Sequence, residues 1–209
     1  MDAKTRQQEH FKDFPSTPKA TQEYYDQYWG PGKKYDQDML DWNYTTPKEG
    51  AELLAEFVED RSAPILDAGC GTGLVGTALK ELGYTNIIGA DFSQSMLDGC
   101  PKDTYKDLKF CDLNDDLPFD ARSFSAVISI GTFTFGHVKS DALDEFVRIT
   151  KPGGLICFTI NEGIYKDYGF DKKILDLKAN NKWDEVEFFK SDYIASKDVN
   201  AWLGLYKVK

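Results

Sequence analysis

The sequence predicts an α/β fold, a doubly wound and mostly parallel sheet with helices on both faces. Two observations carry this. Downstream of Thr46, short apolar runs alternate with stretches of helical period, the pattern of parallel strands joined by crossover helices. The first of those runs opens into a glycine-rich turn, ILDAGCGTGLVG from Ile65 to Gly76, and open parallel sheets bind ligands beyond such strand ends.

A chain of 209 residues has the ordinary length of one domain. The expected organisation is a flexible arm over 1–18 and a single domain over 19–209, whose first part, 19–45, forms an aromatic helical cap. Before Pro18 the chain is polar and without sustained period. TQEYYDQYWGPGKKYDQDMLDWNY is rich in tyrosine and tryptophan and broken at Gly30-Pro31-Gly32, which predicts two short helices around a turn. In TPKEGAELLAEFVED, Ala51, Leu54, Ala55 and Val58 fall at helical spacing. Thr46 is expected to cap this helix, with Pro47 at its first position.

Strand and helix then alternate: APILDAG with LVGTALKELG, NIIGAD with SQSMLDGC, DLKFCDL with a polar turn, FSAVISIG with DALDEFVRIT. Pro152-Gly153-Gly154 turns the chain into the apolar strand LICFTI, and DKKILDLKAN reads as a helix. EVEFFKSDYIAS and AWLGLYKVK alternate like half-exposed strands and suit an antiparallel pair at the sheet edge.

Composition narrows the function. Hydrophobic residues make up 41% and charged residues 29%, the balance of a soluble globular protein. No apolar run approaches the roughly 18 residues of a membrane span, so no membrane partner is expected. MDAKTRQQEHFKDF has no apolar stretch, which points to a cytoplasmic location. Cys70, Cys100, Cys111 and Cys157 are widely separated, so neither a metal site nor a disulfide framework is predicted. A net charge of -10 repels polyphosphate and counts against nucleic-acid partners.

The turn holds Gly69, Gly71, Gly73 and Gly76, which permit positive φ and close approach of a ligand to the amides. Gly71-x-Gly73-x-x-Gly76 also satisfies the dinucleotide fingerprint, and a plain tight turn needs glycine too. The glycines therefore leave the ligand open. Asp67 separates the readings, because it ends the first strand just ahead of the turn. A carboxylate there repels a pyrophosphate and suits a ligand with an ammonium and a sulfonium, S-adenosylmethionine. Asp91 ends the second strand in IIGADFS, where an acid bonds ribose hydroxyls under either reading. Asp112 ends the third strand, placed to accept from an adenine amino group while the Leu113 amide donates to a ring nitrogen. Phe92 and Met96 are placed to flank the adenine, although core packing suits them equally.

With these residues the chain resembles the seven-stranded class I S-adenosylmethionine-dependent methyltransferases. LDAGCGTG, GADFSQSML, FCDLNDDLPF and RITKPGGLICF stand in that class's order, and the match runs from about Tyr24 to the C-terminus. Within the class, EYYDQY, YDQDM, ILDAGCGTGLVG and TKPGGLICFT resemble the methyltransferase-like protein 27 group. The resemblance implies a Rossmann-like sheet of order 3-2-1-4-5-7-6 with strand 7 antiparallel. It implies S-adenosyl-L-methionine as cofactor and S-adenosyl-L-homocysteine as product. Asp67, Gly69 and Gly71, with Cys70 and Gly73 in the same turn, would hold the methionine end. Asp91 would take the ribose, Asp112 and Leu113 the adenine, and Ile130 would lie beside the cofactor.

Methyl transfer is an in-line displacement on an activated sulfonium, so alignment and exclusion of water matter most and no catalytic side chain is compulsory. The loop GTFTFGHV lacks the Asn/Asp-Pro-Pro-Tyr/Phe signature of the resembling amino-group enzymes, which counts against adenine-N6 and glutamine acceptors. His137 in that loop is the candidate general base, against the plainer reading of a turn histidine. Phe133 and Phe135 suit an acceptor pocket less well than the core. Tyr24, Tyr28, Trp29 and Tyr35 are the candidate lid, hinged at Gly30-Pro31-Gly32 and able to face a sulfonium with aromatic rings. The expected acceptor is a small molecule in preference to a protein. A nicotinamide-dependent oxidoreductase and a cofactor-binding protein without catalysis are the competing functions.

Overall fold

The computed structural model describes residues 18–29, 34–197 and 199–209. The polar arm up to residue 17 and the Gly30-Pro31-Gly32 turn lie outside the described residues. The predicted pair of short helices is present as α1 (Pro18–Trp29) and α2 (Lys34–Asp41). The amphipathic helix follows as α3 (Thr46–Phe57). Its cap differs from expectation: Thr45 occupies the cap position without a side-chain bond, and Thr46 is already helical. The Thr46 hydroxyl donates instead to the Tyr193 carbonyl at 3.3 Å, tying the helix to the far edge of the sheet.

The alternating core follows in chain order as β1 (Ile65–Ala68), α4 (Leu74–Glu81), β2 (Ile87–Asp91), α5 (Gln94–Gly99), β3 (Asp107–Phe110), β4 (Phe124–Phe133), α6 (Ala142–Ile149), β5 (Thr150–Asn161), α7 (Phe170–Ala179), β6 (Trp183–Ile194) and β7 (Val199–Val208). The sheet has seven strands in the order β3-β2-β1-β4-β5-β7-β6. β7 runs antiparallel to both of its neighbours, and the remaining pairings are parallel. The predicted class and strand order are those observed.

Period-two alternation on the central strands feeds two separate cores. On β4, Ala126, Ile128 and Ile130 pack with Ala51 and Leu54 of α3 and Val75 and Leu79 of α4. Val127, one residue out of phase, packs on the other side with Leu143 and Phe146 of α6 and Ile174 of α7. β5 splits the same way, with Leu155 and Cys157 toward α3 and Ile156 and Phe158 toward α6. Each fully buried side chain of this size contributes about 1.5–3 kcal/mol, which is why continuous apolar runs such as AVISI form strands covered on both faces. Phe133 belongs to this core rather than to a pocket, with Phe158 edge-on at 5.8 Å and Phe170 tilted at 4.9 Å.

Two details depart from the expected layout. Pro152-Gly153-Gly154 does not precede β5 but lies within it, where the register steps from Phe124↔Thr150 to Ala126↔Leu155. Lys151 to Gly153 project into solvent there, and Gly153 takes φ 79°. β7 is not half-exposed. Inserted between β5 and β6, it is buried along most of its length, whereas β6 keeps the alternation of an edge strand.

The segment between β3 and β4, which carries Asp112 to Asn114, is held against α6 by one side chain. The Arg148 guanidinium binds the Glu145 carboxylate at 2.6 Å and donates to the carbonyls of Phe119 and Leu117 at 2.9 and 3.0 Å. Glu145 in turn accepts the Leu117 amide at 2.8 Å. Among the described residues no helix is long and apolar enough to cross a membrane.

Candidate functional site

A cavity opens at the carboxyl ends of β1, β2 and β4, the end at which open parallel sheets bind ligands. It is lined by Gly69, Gly71, Asp91, Phe92, Met96, Asp112, Leu113, Ile130, His137 and Tyr35, all expected from sequence. Thr21, Cys111, Asn114, Gly131, Thr132, Gly136 and Val138 also line it and were not foreseen. Their adjacency to Asp112, Ile130 and His137 in the chain was the available signal for all but Thr21, which lies on α1.

The turn takes its shape from glycine at two positions that face the cavity. Gly71, at φ 52°, has open space where a Cβ would stand. Gly69, at φ 76°, would drive a Cβ into the Thr132 side chain. Asp91 fixes the turn from below: one carboxylate oxygen accepts the Gly71 amide at 2.9 Å and the other the Ser93 amide at 2.9 Å. Burial pushes the Asp91 carboxyl up to about 6, against the backbone amides that hold it down. The Phe92 amide also bonds this carboxylate, and since a carboxylate has about four lone-pair sites, one is left to accept a further hydroxyl. Ser93 caps α5 by accepting the Met96 amide, which brings Met96 to the cavity wall.

Asp67, Cys70 and Gly73 do not line the cavity. Cys70 points away from it, into a cluster with Leu97 and Cys100. Gly73 is covered by Pro101 and Tyr105, at 3.1 and 3.2 Å from the place of a Cβ. Asp67 is fully buried, and its Oδ2 accepts the Tyr105 hydroxyl at 2.6 Å. Burial pushes its carboxyl up to about 7. Asp67 thus stands behind the glycine-rich turn and does not line the cavity itself. The same covering at Gly73 disfavours a dinucleotide, whose fingerprint needs the backbone open to a pyrophosphate at that glycine.

Above the cavity lie α1 and α2. Thr21 donates to the Gly136 carbonyl at 3.5 Å. Asp26 accepts the hydroxyls of Ser93 and Ser95, both at 2.6 Å. Partial burial raises Asp26, but these bonds outweigh it and hold the carboxyl below its usual range. Asp36 accepts the Thr72 hydroxyl in the glycine-rich turn at 2.6 Å. Of the candidate lid aromatics, Tyr35 lines the cavity and Tyr24 does not. The side chains of Tyr28 and Trp29 lie outside the described residues.

His137 is at the cavity wall, where desolvation pushes its imidazole down to about 4. It is neutral across the physiological range. Phe135 packs edge-on to Tyr168 at 6.2 Å. Among the described residues there is no group of three or more His, Cys, Asp or Glu that could hold a metal ion.

Residues 66–158 match a family described as a methyltransferase domain, and the sheet order is that of the seven-stranded class. The matched stretch runs from β1 into β5. The chain is 36% identical over 140 residues to methyltransferase-like protein 27 of Homo sapiens, covering 65% of this chain and 56% of that one. It is also 36% identical over 124 residues to the 18S rRNA (guanine-N(7))-methyltransferase of Bos taurus, covering 56% and 43%. The chain thus spans about half the length of the curated relatives it matches. The crystal structure of magnesium protoporphyrin IX methyltransferase from Synechocystis with bound S-adenosylmethionine superimposes with a TM-score of 0.65 at 13% identity, over 100% of this chain and 98% of that one. That likeness is one of fold.

Proposed function

We propose that this chain transfers a methyl group from S-adenosylmethionine to a small-molecule acceptor. The observation that carries the reading is the joint presence, around one cavity, of the open cradle at Gly71, the Asp91 carboxylate and the Asp112-Leu113 pair. The chemistry of these groups fits the cofactor. Asp91 would accept a ribose hydroxyl, Asp112 would accept from the adenine amino group while the Leu113 amide donates to a ring nitrogen, and Phe92 and Met96 would cover the adenine faces. Gly69 and Gly71 would admit the methionine end. The bound cofactor supplies an activated methyl group, and the protein aligns it and keeps water out.

The relatives include an rRNA enzyme, so the acceptor class rests on other grounds. The net charge of -10 opposes a polyanion at long range, and Thr21 and Tyr35 roof the cavity with cap residues. Calorimetric titration with S-adenosylmethionine, S-adenosylhomocysteine and NADPH, followed by tritium transfer from the methyl donor to small-molecule and rRNA fractions, tests the reading. Binding of NADPH alone overturns it, and label appearing in rRNA reassigns the acceptor.

The cap is read as a lid latched by Asp26 and Asp36. Replacing both with alanine removes three charge-assisted hydrogen bonds, each worth about 1.5–3 kcal/mol at most in partly exposed settings. The expected result is a rise of about tenfold in cofactor Kd, measured by calorimetry, together with a lowered unfolding midpoint, because the bonds are present in the ligand-free fold. Equal affinities would show that the cap only covers the sheet.

His137 is read as a wall residue that offers a neutral hydrogen-bonding group. A base with its conjugate acid near 4 draws little proton-transfer benefit at neutral pH. His137→Asn is therefore expected to lower kcat less than tenfold. A loss in the range of about 10²–10⁴, typical of general bases, would restore the proton-accepting role.

A further inference from the structure

Tyr105 lies in the loop CPKDTYKD, 38 residues from Asp67 in sequence, yet three glycines make room for its ring. A Cβ at Gly76, within α4, would overlap the Tyr105 hydroxyl and ring. One at Gly89, inside β2, would stand 3.1 Å from its Cδ1, and one at Gly73 would stand 3.2 Å from its Cε2. Gly76 and Gly89 have ordinary negative-φ backbone, as neither is among the positive-φ glycines. The small size of Gly76 serves the ring and not a turn, and that of Gly89 makes room for Leu108 and Cys70 as well as the ring. The hydroxyl so delivered donates to Asp67 Oδ2 at 2.6 Å, while Asp67 Oδ1 is buried without a hydrogen-bond partner among the described residues.

We propose that Tyr105 is a positioning residue of the cofactor site, holding the Asp67 carboxylate by one oxygen so that its charge and second oxygen stand beneath the glycine-rich turn. This rests on the cofactor assignment above. A carboxylate this deeply buried ionises only at a cost, and a cationic ligand above the turn repays part of it through Coulomb attraction in a low-dielectric setting. The groups facing Asp67 are Tyr105, the Asp91 carboxylate, the Gly76 amide and the Cys70 thiol. Asp91 opposes ionisation of Asp67, and the Gly76 amide and Tyr105 favour it. Tyr105 is the one of these that a side-chain substitution removes without altering the turn or adding charge.

Tyr105→Phe keeps the ring in its glycine-lined seat and deletes only the donor. Two measurements test the proposal. The first is the pH dependence of S-adenosylmethionine affinity by calorimetry between pH 6 and 9. The variant is expected to bind about tenfold more weakly at pH 7, from loss of one hydrogen bond to a charged group, with the rise in affinity displaced to higher pH by about one unit. In an Asp67→Asn background, adding Tyr105→Phe is expected to change little. The second is the unfolding midpoint of the ligand-free protein at pH 5.5 and 8.5, where the variant should show the larger fall. If the wild type binds no S-adenosylmethionine, the cofactor assignment fails, and with it the proposed role at that site. The unfolding midpoints would then report on the Tyr105–Asp67 link alone. If the wild type binds and Tyr105→Phe matches it in both pH profiles, Tyr105 is packing and the proposal is overturned.

Discussion

Asp91→Ala is expected to raise the Kd for S-adenosylmethionine by about 100-fold or more. Two contributions act together. A hydrogen bond to a charged group is worth about 1.5–3 kcal/mol, and the carboxylate is placed to make one to the ribose, where each 1.4 kcal/mol is about a tenfold change. The same side chain also anchors Gly71 and Ser93 by their amides, so its loss loosens the turn and the start of α5 at once. Asp91→Asn separates the two. Its single oxygen can still accept one amide, and its nitrogen can meet only hydroxyl lone pairs, so an intermediate loss of about tenfold is expected. Calorimetry on both variants decides the matter. A Kd for the alanine variant within threefold of wild type would show that the ribose lies elsewhere.

The parts of this site that were legible in the sequence are those written locally. Each strand end carries its own acid, and the turn glycines at 69 and 71 announce positive φ, so Asp91, Asp112 and the cradle could be placed from a few neighbouring letters. The strand order could be stated only through resemblance, because EVEFFKSDYIAS and AWLGLYKVK show no local feature that tells an edge strand from an inserted one. β7 is buried because β5 and β6 flank it, and its few polar residues sit near its ends.

The pairing of Tyr105 with Asp67 was illegible for a different reason. It joins a loop to the end of β1 through a ring whose only sequence trace is negative. A glycine in a helix interior costs about 1 kcal/mol relative to alanine, and one inside a strand often marks a close approach. Gly76 and Gly89 are such residues, but they say that something approaches, without saying what. Gly73 and Gly76 border space that the protein fills itself with the Tyr105 ring. For Asp67 the strand-end position was visible in the sequence, and its complete burial was not.

That burial makes the stability of the ligand-free protein fall as pH rises. In the unfolded chain Asp67 titrates near 3.8, and in the folded chain at about 7, so between these values the folded state holds the additional proton. The contribution is fully present below about 4 and is lost as pH climbs through 7, at up to about 1.4 kcal/mol per pH unit. Asp91, pushed up to about 6, acts in the same direction over a narrower window. Urea unfolding at pH 5, 6, 7 and 8 should therefore show a declining midpoint, and Asp67→Asn should flatten most of it, since asparagine keeps the volume and an acceptor for the Tyr105 hydroxyl but cannot ionise. A parallel decline in the variant would place the titration elsewhere. Ligand linkage sharpens the test. A sulfonium and an ammonium above the turn lower the cost of ionising Asp67, so saturating S-adenosylmethionine should reduce the slope in the wild type and leave the asparagine variant nearly unchanged. S-adenosylhomocysteine, which lacks the sulfonium charge, should reduce it less.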